Sequence, residues 1–178
     1  ARGLERWAEL CSKTGKKKTE YIAEIQSASL TLKKNTLASI RKTWPKDPND
    51  WWLQPKPEPM ERPRSLFETY TAGYVNYRYW PELLSSGILP AELANHVVEA
   101  RLNGGGQFCG MTRFKDWLDD WPLADYLYGL WALGRKKDFL LSLYGHISYH
   151  QCEGHLTAYE QISFPGDTAG LKRADYCL

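Results

Sequence analysis

Residues 104–165 read GGGQFCGMTRFKDWLDDWPLADYLYGLWALGRKKDFLLSLYGHISYHQCEGHLTAYEQISFP and contain two segments that are apolar on nearly every side. A polar, aromatic-rich loop flanks this pair at each end, and a short basic turn at 134–137 separates the two segments. The pattern predicts helices over 122–133 and 138–149, which such a short turn holds antiparallel. Helices this apolar are expected to be buried.

Helical patterns also occupy most of the chain before this stretch. Apolar spacing predicts helices over 4–12, 17–43 and about 91–102. Ser65, with Glu68 three residues later, predicts the N-cap of a further helix that runs to about Tyr79. Strand-like alternation is confined to a short segment at 159–164. We therefore expect an all-α fold of antiparallel helix pairs with a helical N-terminal extension.

Composition divides the chain into three parts. Residues 1–64 hold 14 Lys and Arg against 8 Asp and Glu, whereas residues 65–178 hold 9 against 13. Six prolines exclude regular structure over 45–64, although Trp51 and Trp52 argue against a free linker. The prediction is a basic helical arm (1–44), a proline-rich strap (45–64) and a helical-hairpin domain (65–178) that could be a fragment of a larger unit.

Charge and cysteine spacing exclude several classes of protein. The basic residues of the arm are too diffuse to favour nucleic-acid binding, although the hairpin leaves RNA as a third alternative. The four cysteines have no zinc-type spacing, and we interpret them as thiols. We find no run of about 18 apolar residues and no signal peptide, so we expect no membrane partner, and the compartment stays open.

Chemistry-bearing side chains are concentrated in the two loops that flank the apolar helices. The first loop carries Trp117, Asp119, Asp120 and Trp121, and the second carries His150, Glu153, His155, Tyr159 and Glu160. One of the two aspartates could simply cap the following helix, which leaves the other for acid or base chemistry. The spacing of His150, Glu153 and His155 matches no common zinc pattern, so no metal is expected.

The two loops should lie close together. In an antiparallel pair, the start of helix 122–133 and the end of helix 138–149 are side by side. Asp119 and Asp120 should therefore be within reach of Glu153, His155 and Glu160, whatever the rest of the fold does.

The segments GQFCGMTRFKDWLDDWPLADYLYGLWALGR and CEGHLTAYEQ resemble part of a six-hairpin (α/α)6 toroid, the fold of many glycoside hydrolases. The resemblance implies a carbohydrate-processing domain in which 122–133 is an inner helix and the loops form a sugar cleft. It implies no cofactor. Asp119 or Asp120 would be the general acid and Glu153 or Glu160 the general base. Sugar faces would contact the side chains of Trp117, Trp121, His155 and Tyr159.

A different class of function explains the same residues. The chain could be a non-catalytic helical interaction module, or a subunit that binds other protein chains or missing parts of the same polypeptide. Catalysis predicts carboxylates that converge in a pocket. An interaction module predicts carboxylates that cap helices or form salt bridges, together with a large exposed apolar patch.

Overall fold

The chain forms a mixed α/β structure, seen in a computed structural model that describes residues 1–56, 58–152, 154, 157–163 and 173–175. The all-α prediction is wrong, because a five-stranded antiparallel sheet accompanies the helices. Seven α-helices are present in these ranges: α1 (Arg2–Thr14), α2 (Thr19–Thr43), α3 (Tyr70–Tyr74), α4 (Trp80–Ser85), α5 (Ala91–Asn103), α6 (Leu123–Ala132) and α7 (Lys136–Tyr149).

The sheet follows chain order from β1 to β5, with every neighbouring pair antiparallel. Its strands are β1 (Gln107–Phe108), β2 (Met111–Phe114), β3 (Trp117–Asp119), β4 (Tyr159–Ser163) and β5 (Arg173–Asp175). The short strand expected near 159–164 is thus present as β4. The first three strands lie where the sequence pattern predicted a loop.

Tight hairpins explain why the first three strands escaped detection. Cys109 and Gly110 both have positive φ (48° and 78°) in the two-residue turn between β1 and β2. Such a turn matches the natural twist of a hairpin, but Cys-Gly is not among its usual sequence signals. Strands of two to four residues also contain too few positions to display an alternating pattern.

The helix predicted from Ser65 begins later. Its N-cap is Thr69, whose hydroxyl accepts a hydrogen bond from the backbone N–H of Ala72 at 3.1 Å, and Glu68 instead accepts from the backbone N–H of Arg64. A π-helix (Val75–Tyr79) joins α3 to α4, so Pro81 falls in the first turn of a new helix instead of ending the old one.

The main core lies between α4, α5, α6 and the strap. Val97 and Val98 of α5 pack there with Trp80, Leu130 and Trp52. Gly129 allows α4 and α6 to approach, since a Cβ at this position would lie 2.7 Å from the Cβ of Leu84. A smaller apolar cluster of Met111, Leu118 and Ile162 covers one side of the sheet.

The arm contacts the rest of the molecule at both ends: Arg2 does so near its start, and Trp44 at its end packs on the main core and donates from Nε1 to Nδ1 of His96 at 2.9 Å. Helices α1 and α2 pack on each other, and Ser29 of α2 donates to the carbonyl of Ala1 at 2.8 Å. Arg2 donates to the Ser85 carbonyl at 2.8 Å and to the Tyr128 hydroxyl at 2.7 Å. The division into arm, strap and domain stays a prediction.

Helices α6 and α7 are antiparallel as expected, but they are buried on one face only. Trp131 of α6 is 70% exposed and Tyr144 of α7 is 63% exposed. The toroid-like architecture, with 122–133 as an enclosed inner helix, is therefore not what the described residues form. None of the helices in the described ranges is long and apolar enough to cross a membrane.

Candidate functional site

Strands β3 and β4 bring the two predicted loops together. Asp119 pairs with Gln161 in the ladder, and the N–H of Asp120 donates to the carbonyl of Glu160 at 3.1 Å. The predicted proximity of residues 113–121 to residues 150–161 is therefore confirmed for the described part of both segments. The contact is made by a sheet ladder, however, and not by loops across a cleft.

Asp119 is fully buried and both of its carboxylate oxygens accept hydrogen bonds. Oδ1 accepts from the backbone N–H of Trp121 at 2.9 Å, and Oδ2 accepts from Nε2 of Gln161 at 2.6 Å. Burial raises the pKa of Asp119 to about 6, against the lowering effect of these two bonds, and the charge of Glu160 raises it further. A carboxyl group in this position holds the turn before α6.

The described members of the predicted site lie on β3, on β4 and in the turn that follows β3. Asp120 and Glu160 are half-buried, Trp117 and Tyr159 are half-buried, and Trp121 is 52% exposed. Glu153 and His155 lie outside the described residues. Whether any of these side chains acts in catalysis or binds a sugar stays a prediction.

A second polar cluster lies between α5, α6, α7 and β2. Its centre is Arg101, which is fully buried although it carries a guanidinium group. Nε donates to Oδ1 of Asn76 at 3.1 Å, Nη2 donates to Oγ1 of Thr112 at 2.8 Å, and the group lies 4.1 Å from the centre of the Tyr126 ring. All of these contacts are neutral.

The charge of Arg101 is not balanced by a carboxylate within 4 Å in the part of the chain that the structure describes. Nη1 is buried and has no hydrogen-bond partner among those residues. Burial lowers the pKa of Arg101 to about 10, so the group still carries its charge at neutral pH. Burying an unpaired cation is costly, and the other buried side chains of α5 are all apolar.

Asn76 connects this cluster to the glycine-rich turn after α5. Its amide nitrogen donates to the carbonyls of Gly106 (2.9 Å) and Arg113 (2.8 Å), while its oxygen accepts from Arg101. A Cβ at position 106 would overlap the Asn76 amide. A glycine is therefore needed at position 106 to leave room for the Asn76 side chain, which accepts a hydrogen bond from Arg101.

Two buried histidines, one on α7 and one at its C-cap, complete the cluster. The rings of His146 and His150 stack with centroids 4.7 Å apart. Burial lowers the pKa of His146 to about 3, with the charges of His150 and Arg101 adding to the effect; burial also lowers the pKa of His150. Nδ1 of His150 lies 2.9 Å from the carbonyl of Tyr159, which can only accept, so Nδ1 carries the proton and Nε2 is bare in the neutral ring.

Sequence reasoning considered His150 but missed Arg101, Asn76 and His146. A signal existed for two of them, because each interrupts an apolar helical face: Arg101 follows Val97, Val98 and Ala100, and His146 lies within the apolar segment of α7. Asn76 gave no signal. It lies in a π-helix, whose side-chain positions cannot be placed with a 3.6-residue period.

No three His, Cys, Asp or Glu side chains in the described ranges are arranged to hold a metal ion. Comparison with protein-family models, with curated protein sequences and with solved structures finds no match for this chain. Its function therefore has to be argued from the two polar clusters and from the exposed surface.

Proposed function

We propose that this chain is a helical interaction module that assembles through the exposed face of α7. The observation that carries the proposal is an apolar stripe on that helix formed by large side chains that are half or more exposed: Leu140, Leu141, Tyr144 and Ile147. Monomeric proteins rarely leave such a continuous surface in water. The buried and fully hydrogen-bonded state of Asp119 points in the same direction.

The stripe is a property of the helix and not a collection of scattered residues. Leu140, Tyr144 and Ile147 are spaced by four and three, which places them on one side of α7 with Tyr144 at the centre. The opposite side, with Ser142, Gly145 and His146, packs on the β1–β2 hairpin and is buried. A helix that is buried on one side and carries an apolar stripe on the other belongs in the middle layer of a structure.

The partner that fits this face best is a second copy of the chain. Lys136 and Lys137 are exposed at the start of α7 and make no ion pair among the described residues. In an antiparallel pairing of two α7 helices, these ammonium groups approach the carbonyl end of α7 in the other copy, where cations are favoured. Leu140 then packs against Ile147 of the second copy, and the two Tyr144 side chains meet at the two-fold axis.

The experiment is sedimentation equilibrium of the full chain and of Tyr144→Lys. The wild-type chain should form a dimer at concentrations of about 1–100 μM. Tyr144→Lys places two like charges across the axis and should weaken the dimer at least about tenfold. Tyr70→Lys is the matched control, since Tyr70 is a 62% exposed tyrosine on a different helix, α3. A wild-type chain that stays monomeric, or equal weakening by both variants, would overturn the proposal.

A second candidate function is carbohydrate processing at the β3–β4 edge. It is favoured by one group of neighbours: exposed Trp121 beside Asp119, whose pKa burial raises to about 6, and the nearby Glu160. Asp119 itself is enclosed, so Asp120 or Glu160 would have to contact the sugar. Titration calorimetry with soluble glycans should show binding that Trp121→Ala removes and Trp131→Ala retains. Glycan binding that is absent, or the same in both variants, counts against this function.

A further inference from the structure

Three buried nitrogen atoms of the Arg101 cluster have no partner among the described residues: Nη1 of Arg101, Nδ1 of His146 and Nε2 of His150. Buried polar groups in proteins are nearly always hydrogen-bonded, so each of these needs an explanation. They belong to one cluster, because the two rings stack and the Arg101 charge acts on His146. Nη1 of Arg101 is a donor at neutral pH, and the two imidazole nitrogens can donate to an anion once their rings are protonated.

We propose that Arg101, His146 and His150 bind a small monovalent anion, either a halide or a single carboxylate group. Nη1 of Arg101 supplies two N–H donors and the positive charge. Each imidazole becomes a further donor when it takes up a proton. The buried cation, costly when alone, becomes one half of a buried ion pair.

The geometry around Arg101 sets the size of the ligand. Nε and Nη2 are already committed to Asn76 and Thr112, and the Gln107 amide also lies within hydrogen-bonding distance of Nη2. The two-nitrogen fork that binds phosphate or a bidentate carboxylate is therefore not available. The Tyr126 ring covers one face of the guanidinium. A ligand can approach only end-on, at a single nitrogen, which favours a small anion.

The anion and the histidines should bind protons together. In the described part of the chain, burial is the largest cause of the lowered pKa of His146, and the charges of His150 and then of Arg101 add to it. A bound anion cancels the Arg101 charge and favours the imidazolium form. By linkage, the anion must bind more tightly as the pH falls.

The test is thermal unfolding of the full chain in sodium gluconate, sodium chloride and sodium formate at constant ionic strength. Replacing gluconate by chloride or formate should raise Tm by about 5 °C when the site is near saturation. Stabilisation by chloride identifies a halide site, and stabilisation by formate alone identifies a carboxylate site. No response to either anion means that the chain neutralises Arg101 itself, and this overturns the proposal.

Two further arms locate the effect. Arg101→Gln should lose the response, whereas Arg41→Gln, which removes an exposed arginine, should keep it. If Arg101→Gln does not fold, the wild-type chain decides the matter: the anion-induced rise in Tm should be larger at about pH 5.5 than at about pH 8. A rise that is independent of pH, or one that Arg41→Gln abolishes, would contradict binding at this cluster.

Discussion

Asp119 and Arg101 are both fully buried charged residues, yet their surroundings differ in one respect. Both carboxylate oxygens of Asp119 accept hydrogen bonds, from Trp121 and Gln161. The guanidinium of Arg101 has two nitrogens bonded to neutral groups and one with no partner among the described residues. We call the Asp119 arrangement closed, because both of its oxygens have hydrogen-bond partners. We call the Arg101 arrangement open, because Nη1 has no partner among the described residues.

The difference separates a structural role from a binding role. A buried polar group whose bonds are complete mainly fixes the local fold, as Asp119 fixes the turn between β3 and α6. A buried donor without an acceptor makes the folded state less stable, and a ligand that accepts a hydrogen bond from it removes that cost. The sequence suggested catalytic chemistry at Asp119. The buried nitrogen atoms that have no hydrogen-bond partner among the described residues of this cluster belong instead to Arg101, His146 and His150.

The largest expected effect comes from removing the centre of the open cluster. Arg101→Ala should lower the free energy of unfolding by about 3–5 kcal/mol, because it leaves a cavity beside Tyr126 and deprives Asn76 and Thr112 of their donor. Arg101→Met, which keeps the volume of the stem and removes the buried charge, should cost clearly less. Urea unfolding measures both. Equal losses would show that the polar contacts, which both variants lose, hold this region and that the packing of the side chain adds little.

A smaller effect is expected from pH, acting through His146. Its pKa is lowered to about 3 in the fold, against about 6.5 in an unfolded chain. Below pH 6.5 the unfolded state binds a proton that the native state does not, so stability is complete above pH 6.5 and is lost as the pH falls. The loss between pH 7 and pH 4.5 should be about 2–3 kcal/mol. His146→Gln should flatten this part of the urea-midpoint profile, whereas an unchanged slope would assign the loss to other groups.

The sequence allowed the helices to be predicted more fully than the strands. Gly15 ends α1, and Gly134 lies in the turn after α6; both have positive φ. The antiparallel α6–α7 pair could be predicted because the turn between these helices is short. Strands β1 to β3 could not be found, because their register depends on the hairpin at Cys109 and Gly110 fitting against α7. A Cβ at Gly110 would lie 2.6 Å from the backbone of Leu141. Such a contact joins residues about 30 positions apart, and no local pattern encodes it.

The sequence allowed us to predict which residues of the site lie close together, but not how their side chains are buried and hydrogen-bonded. The antiparallel helix pair correctly placed Asp120 near Glu160. The sequence could not indicate that Asp119 would be enclosed, because its burial depends on Gln161 across the β3–β4 ladder. Nor could it predict the cluster around Arg101, since Asn76, Thr112 and His146 come from three different elements and meet only in the folded chain.

The smallest effect, and the one that tests the closed arrangement most directly, is Asp119→Asn. Burial raises the pKa of Asp119 to about 6, above its value of about 3.9 in an unfolded chain, so the native state binds the extra proton between pH 4 and pH 6. Stability from this group is therefore present at low pH and falls as the pH rises through 6, which is opposite to the effect of His146.

An asparagine at this position keeps the oxygen that accepts from Trp121, and rotation of the Gln161 amide restores the second bond. Because no buried carboxylate then has to ionise, the variant should be about 1–2 kcal/mol more stable than the wild type at pH 7 and about equal to it at pH 4. Urea unfolding at the two pH values measures the difference. Asp119→Ala is the control, and it should lose about 1–2 kcal/mol at both pH values because the turn before α6 loses its acceptor. If Asp119→Asn is instead destabilised at pH 7, the ionised carboxylate makes a favourable contact that the two hydrogen bonds do not account for, and the catalytic interpretation of this residue regains support.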